Sequence, residues 1–147
     1  MHPFYDNFKP EWVESGPYRQ QVVQGTRARG RIFEKKVGKQ LKLLADELNW
    51  EFHDHHWVKV PKLDGTSFYL QPDFVLVAPS GGCLLIEAKL TWTPDAEAQL
   101  TRYMEALTLM GLRPIPILTC RNLTPDTPES VKTLCDCEPW SVLHLYI

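Results

Sequence analysis

Apolar residues recur along this chain with two different periods, and each period predicts a different kind of element. From residue 30 to residue 48 the apolar side chains are spaced as on one face of a helix, and a similar pattern runs from Asp95 to about Met110, before Gly111. Short apolar or alternating runs predict strands at 50–60, 66–70, 74–77, 84–86, 114–120 and 140–147, and a short helix is expected at 129–134. The order of these elements predicts an α/β domain with a small mixed β-sheet flanked by helices.

The two strands at 74–77 and 84–86 predict the centre of that sheet. The residues between them, Pro79-Ser80-Gly81-Gly82, are typical of a tight turn, so the pair is expected to form a β-hairpin. The strand at 114–120 follows a helix, which predicts that it lies parallel to the hairpin after a helical crossover.

Three ionisable residues interrupt the apolar surroundings of this hairpin, namely Asp73, Glu87 and Lys89. Glu87 and Lys89 are two residues apart, so their side chains point to the same face of a strand, and Asp73 lies across the hairpin from them. Buried charges are costly unless they are paired or bind a ligand. Two carboxylates and a lysine at one spot favour a Mg²⁺ site, whereas the simpler alternative is a surface ion pair between Glu87 and Lys89.

The order Pro72-Asp73, a spacer and then Glu87-Ala88-Lys89 resembles the PD-(D/E)xK nuclease superfamily. The resemblance implies a restriction-endonuclease-like core in which Asp73, Glu87 and the backbone carbonyl of Ala88 bind the metal. It also implies that Lys89 assists the attacking water.

Two further pieces match that superfamily. Glu34 lies on the first predicted helix, where many members have a glutamate that reaches the metal through a water or lies beside a second metal. The alternative role for Glu34 is an ion pair with basic neighbours on the helix surface. Gln99 and Tyr103 are four residues apart on the second helix, as in the Q-x-x-x-Y helix of the RecB-like and Cas4-like branch. The alternative is that they are a buried amide and phenol whose hydrogen bonds are satisfied within the protein. The histidine and the cysteines of Cas4-like members are not matched, and the short chain also resembles endonuclease I-type junction resolvases.

Charge is distributed unevenly along the chain. The net charge is −2, yet seven of the 16 basic residues lie between residues 27 and 42 with a single acidic residue among them. This segment predicts a surface that faces DNA phosphates, with a solvated helix face as the alternative. The expected DNA-binding residues are Arg27, Arg29, Arg31, Lys35, Lys36, Lys39 and Lys42.

The remaining features bound the organisation of the protein. The 147 residues suit one domain at 25–147, preceded by an aromatic arm at 1–24 that packs on the domain or on a second subunit. No apolar run is long enough to span a bilayer and no signal pattern is present, which predicts a cytoplasmic location in a bacterium or a phage-infected host.

Four cysteines fit no common zinc spacing and do not favour an iron–sulfur cluster. His53 and His55 are expected on one face of an exposed strand, where a transition metal is a lesser alternative.

These observations predict a Mg²⁺-dependent deoxyribonuclease, with Mn²⁺ able to substitute. End-processing (exonuclease) activity is favoured, and a junction-resolving or structure-specific endonuclease is the alternative. Two hypotheses from other functional classes stay open. The chain could be a non-catalytic DNA-binding or assembly module with the same fold, or a structural domain whose charges form an ion-pair network. Self-association into a homo-oligomer is expected for either nuclease.

Overall fold

The structure is a computed structural model that describes residues 9–16, 26–91, 93–122 and 142–145. The elements in chain order are β1 (Glu11–Val13), α1 (Thr26–Leu48), β2 (Glu51–Asp54), β3 (Trp57–Pro61), β4 (Ser67–Leu70), β5 (Phe74–Val77), β6 (Gly82–Thr91), α2 (Pro94–Leu109), β7 (Arg113–Asn122) and β8 (Val142–Leu145). The predicted helix at 129–134 and most of the predicted arm lie outside these ranges. No helix in the described part of the chain is long and apolar enough to cross a membrane.

A five-stranded mixed sheet forms the centre of the protein, in the order β2-β5-β6-β7-β8. Strands β5 and β6 form the expected hairpin, with Phe74 opposite Ile86 and a turn at Gly81, whose φ of 93° is accessible mainly to glycine. Strands β6 and β7 are parallel, and α2 provides the crossover between them. The prediction of an α/β fold with a small mixed sheet flanked by helices is confirmed.

The two helices cover opposite faces of this sheet, because successive strand residues point to opposite faces. On one face, α1 packs through Phe33 and Val37 against Phe74, Leu76 and Ile86. On the other face, α2 packs through Leu100, Tyr103 and Leu107 against alternate residues of the same strands, namely Val75, Cys83, Leu85, Leu118 and Cys120. Even-numbered residues of β6 therefore face α1, and its odd-numbered residues, including Glu87 and Lys89, face α2.

A second, three-stranded antiparallel sheet in the order β1-β3-β4 was not predicted. Its residues Val58 and Val60 pack on Ala106 of α2, so that α2 lies between the two sheets. The prediction of one continuous strand over 50–60 is wrong, because β2 and β3 belong to different sheets. The chain changes direction at His55, whose φ of 56° places it in the left-handed region, where a strand cannot continue.

Gly38 lies in the middle of α1, where glycine is less favourable than alanine. The ring of Phe74 packs against it: a Cβ atom on Gly38 would lie 2.7 Å from Cε1 and 2.8 Å from Cζ of that ring. Phe74 is 1% exposed, so its ring has little room to move away.

We therefore expect Gly38→Ala to destabilise the protein, although alanine is the better helix former. Overpacking against Phe74 should outweigh the gain in helix propensity, for a net loss of about 1–2 kcal/mol in the free energy of unfolding. Urea denaturation measures this loss, with Gln40→Ala, an exposed change on the same helix, as the control. An increase in stability for Gly38→Ala would show that the Phe74 ring does not pack against this glycine.

Candidate functional site

The functional side chains predicted in the hairpin meet where β5 begins beside β6. The backbone N–H of Ala88 donates a hydrogen bond to Oδ2 of Asp73 over 2.9 Å, and the N–H of Asp73 donates to Oε1 of Glu87 over 3.0 Å. Each carboxylate is thus held by the backbone of the neighbouring strand. The N–H and C=O of one strand residue point to the same side, so the Ala88 carbonyl is directed to the edge that Asp73 occupies.

Glu87 is the most deeply buried charged group in the described part of the chain, with 1% of its side chain exposed. Burial raises its pKa well above the usual range, and the nearby charge of Asp73 raises it further. Lys89 acts in the opposite direction, with its Nζ 3.6 Å from Oε2 of Glu87. The Glu87 carboxyl group therefore lies between a second carboxyl group and one ammonium group, an arrangement that a bound cation would stabilise.

On the other side of Asp73 lies a second group, made of Glu34 and His55. Nε2 of His55 contacts Oε1 of Glu34 and lies 3.5 Å from Oδ1 of Asp73. The possible ligand atoms of Glu34, His55 and Asp73 all lie within 4.8 Å of one another. Two carboxylates and one imidazole at this spacing are a donor set that fits a divalent cation such as Mn²⁺.

The position of His55 is set by its neighbours rather than by a regular strand. The backbone N–H of His55 donates a hydrogen bond to the carbonyl of Asp73 over 2.9 Å. The backbone carbonyl of His55 accepts a hydrogen bond from Nε2 of Gln71 over 3.0 Å. Oδ1 of Asp54 lies 2.5 Å from Nδ1 of the ring, so the second nitrogen is held as in many metal-binding histidines.

The carboxylates around His55 also change its protonation. Partial burial lowers its pKa, but hydrogen bonds to Asp73, Glu34 and Asp54 outweigh this and raise the pKa to about 11. In the metal-free protein the ring is therefore a cation that neutralises these carboxylates, and a metal ion would replace that proton.

His55 was predicted only as a lesser alternative for binding a transition metal together with His53, and the prediction that the two side chains share one face is wrong. His53 is 6% exposed and stacks on Trp12, with ring centroids 3.9 Å apart. His55 lies beyond the end of β2 and faces α1 instead. The signal in the sequence was the run from His53 to His56, three imidazoles and a carboxylate in four residues, but its use depends on a turn that periodicity does not predict.

Gln99 and Tyr103 lie on the α2 side of the carboxylates. Burial raises the pKa of Tyr103 and the charges of Glu87 and Asp73 raise it further, while a hydrogen bond with Gln99 lowers it. Both residues line a cavity of about 500 Å³ that Asp73, Glu87 and Lys89 also line. We call this cavity the α2 pocket; it brings the hairpin residues and the Q-x-x-x-Y residues together.

The basic segment lies along a second, larger cavity of about 1010 Å³ on the α1 side, which we call the α1 cleft. Its basic lining residues are Arg31, Lys35, Lys39 and Lys42, and Glu34, Asp54 and His55 line it as well. Lys42 forms an ion pair with Asp46, whereas Lys36 is exposed and is not among the residues that line the cleft. The side chains of Arg27 and Arg29 lie outside the description, although both residues belong to α1.

Comparisons with models of known protein families, with curated proteins and with solved structures gave no significant match to this chain.

Proposed function

We propose that this protein is a nuclease that hydrolyses phosphodiester bonds in DNA with the help of a divalent metal ion. The observation that supports this best is the position of Asp73. Its carboxylate belongs to the Glu34–His55 group on one side, and its backbone N–H donates a hydrogen bond to the Glu87 carboxylate, the partner of Lys89, on the other. Ligands for a metal and a cation for a phosphate thus adjoin one residue.

Asp73, Glu34 and His55 would hold the metal, and Glu87 with the Ala88 carbonyl completes the set expected from the nuclease resemblance. Mg²⁺ prefers oxygen donors, so the imidazole nitrogen of His55 favours Mn²⁺ over Mg²⁺ at this position. When bound, the cation would act as a Lewis acid that lowers the pKa of the attacking water and offsets charge on the phosphate.

Lys89 supplies the second positive charge. Its Nζ lies 3.6 Å from Glu87, and its side chain, 35% exposed, borders the α2 pocket. An ammonium group held in this way can orient a water and stabilise the negative charge that develops on the phosphate oxygens. The buried carboxylate of Glu87 keeps Lys89 in place.

Gln99 and Tyr103 position these groups from α2. The phenol of Tyr103 is buried beside Glu87 and Asp73, and its raised pKa keeps it protonated near neutral pH, so that it is a hydrogen-bond donor. Gln99 holds the phenol and borders the pocket, where its amide can contact a substrate phosphate.

The α1 cleft would bind the DNA backbone, because Arg31, Lys35 and Lys39 are spaced by four residues and lie along one face of α1. Charge reversal at Lys35 should therefore weaken DNA binding and reduce the slope of log K against log salt by about one unit, as expected for one lost phosphate contact. Fluorescence anisotropy at several salt concentrations measures the slope in EDTA, where no cleavage occurs.

Lys36→Glu is the matched control for Lys35→Glu, because it makes the same change one residue away and outside the cleft lining. We expect Lys36→Glu to have the smaller effect on the slope. Equal slopes for the two variants would mean that the α1 cleft is not the DNA-binding surface.

The form of the DNA substrate distinguishes the two nuclease hypotheses. We expect faster cleavage of linear DNA than of covalently closed circles, as for an enzyme that processes ends. Preferential cutting of a four-way junction would instead identify a resolvase, and DNA binding without cleavage in Mg²⁺ or Mn²⁺ would identify a non-catalytic module. Sedimentation of the same samples tests the expected self-association.

A further inference from the structure

The α2 pocket contains two aromatic side chains and an arginine that metal binding and hydrolysis do not use. Two aromatic side chains, Trp57 of β3 and Tyr69 of β4, line it together with Gln71 and Arg102. The pocket also reaches Asp73, so a group bound in it lies next to the proposed point of cleavage. The side chains that line the pocket therefore determine which part of the DNA can bind in it.

The two aromatic rings stand on the same face of the three-stranded sheet. Tyr69 pairs with Lys59 across β3 and β4, and Trp57 is two residues from Lys59, so both side chains lie on the face opposite the buried Val58 and the half-buried Leu70. Both side chains are half-buried. The backbone at Gly16 packs on the indole of Trp57, since a Cβ atom there would overlap the ring, and this contact holds the ring in place.

Polar groups complete the pocket. Arg102 is exposed on α2 and forms no ion pair with any residue that the structure describes, so its guanidinium is available to a ligand. Gln71 and Gln99 also line the pocket, and the amide oxygen of Gln71 can accept a hydrogen bond while its Nε2 donates to the His55 carbonyl. Aromatic rings, a guanidinium and amides are the groups that proteins use to stack on a nucleobase and to contact its edge.

We propose that the α2 pocket receives an unstacked nucleobase from the nucleotide adjoining the cleaved phosphate. A base inside a duplex cannot enter such a pocket unless it leaves the stack. The substrate is therefore single-stranded DNA or a frayed end, with its backbone along the α1 cleft and one base in the α2 pocket. This inference rests on the proposed nuclease function and adds the substrate class.

Tyr69→Ala tests the stacking, with Phe68→Ala as the matched control. Phe68 is the preceding residue on β4, is 41% exposed and does not line the pocket. Anisotropy of a labelled 12-nucleotide oligothymidylate in EDTA should show roughly tenfold weaker binding for Tyr69→Ala and little change for Phe68→Ala. Tyr69→Phe should retain binding because it keeps the ring, and thermal melting of each variant confirms that it is folded.

A cleavage assay with single-stranded, frayed and fully paired DNA of one sequence completes the test. We expect the single strand to be cut fastest and the fully paired form slowest. Equal binding by Tyr69→Ala and Phe68→Ala, or fastest cleavage of the fully paired form, would overturn the base pocket while leaving the nuclease proposal intact. Tyr69-dependent binding without any cleavage in Mg²⁺ or Mn²⁺ would support the base pocket and remove the nuclease proposal.

Discussion

Replacing Asp73 with asparagine should raise the dissociation constant for Mn²⁺ by at least about 100-fold. Changes to residues that only support a metal ligand already cost up to about this factor, and Asp73 is proposed as a ligand itself. Asparagine keeps an oxygen that can accept the hydrogen bond from the Ala88 N–H, so the hairpin should remain folded. Calorimetric titration of the metal-free protein with Mn²⁺ measures the change.

The control for this experiment is Asp46→Asn, which makes the same chemical change at an exposed position on α1, where Asp46 pairs with Lys42. Its affinity for Mn²⁺ should match that of the wild-type protein. If Asp73→Asn bound Mn²⁺ as tightly as Asp46→Asn does, the cation would have to lie elsewhere and the site would be wrong.

Lys89→Met should lower the rate of DNA cleavage by about 10²- to 10⁴-fold, the range typical when one positioned acid–base or electrostatic group is removed. Methionine keeps most of the length of the side chain and removes its charge. Lys89 contacts Glu87 rather than the Glu34–His55 group, so Mn²⁺ affinity should change by only a few-fold. Single-turnover cleavage with saturating protein separates this loss of rate from a loss of DNA binding.

Lys62→Met serves as the control, because Lys62 is an exposed lysine that lies over the ring of Phe68 and outside the α2 pocket. It should cleave at the wild-type rate. Wild-type cleavage by Lys89→Met would remove this lysine from the mechanism, whereas a parallel loss of Mn²⁺ binding would mean that it supports the metal site instead.

The parts of the fold that sequence predicted are those set by local pattern. The hairpin of β5 and β6 follows from two apolar runs and a Gly81-Gly82 turn, and the crossover by α2 follows from a helical run between two buried strands. Within that frame, strand alternation was enough to place Glu87 and Lys89 on one face, and the structure has them 3.6 Å apart.

The second sheet could not be predicted in this way, because its strand β1 comes from a distant part of the chain, although β3 and β4 are neighbours. Trp12 of β1 pairs with Val58 of β3, and nothing in either short run indicates the partner. The break between β2 and β3 is similarly hidden, since it depends on a left-handed conformation at His55 that alternation does not reveal. His55 enters the candidate site only through this turn, so the sequence paired it with His53 and did not place it beside Glu34 and Asp73.

The proposed nuclease function is tested most directly by cleavage of single-stranded DNA by the wild-type protein in Mn²⁺, in Mg²⁺ and in excess EDTA, alongside Asp73→Asn and Lys89→Met. We expect the wild-type protein to cleave with either metal, faster with Mn²⁺, and not in EDTA, while both variants are inactive or nearly so. Cleavage at the wild-type rate by both variants, or no cleavage by a wild-type protein that binds both Mn²⁺ and DNA, would contradict the proposal.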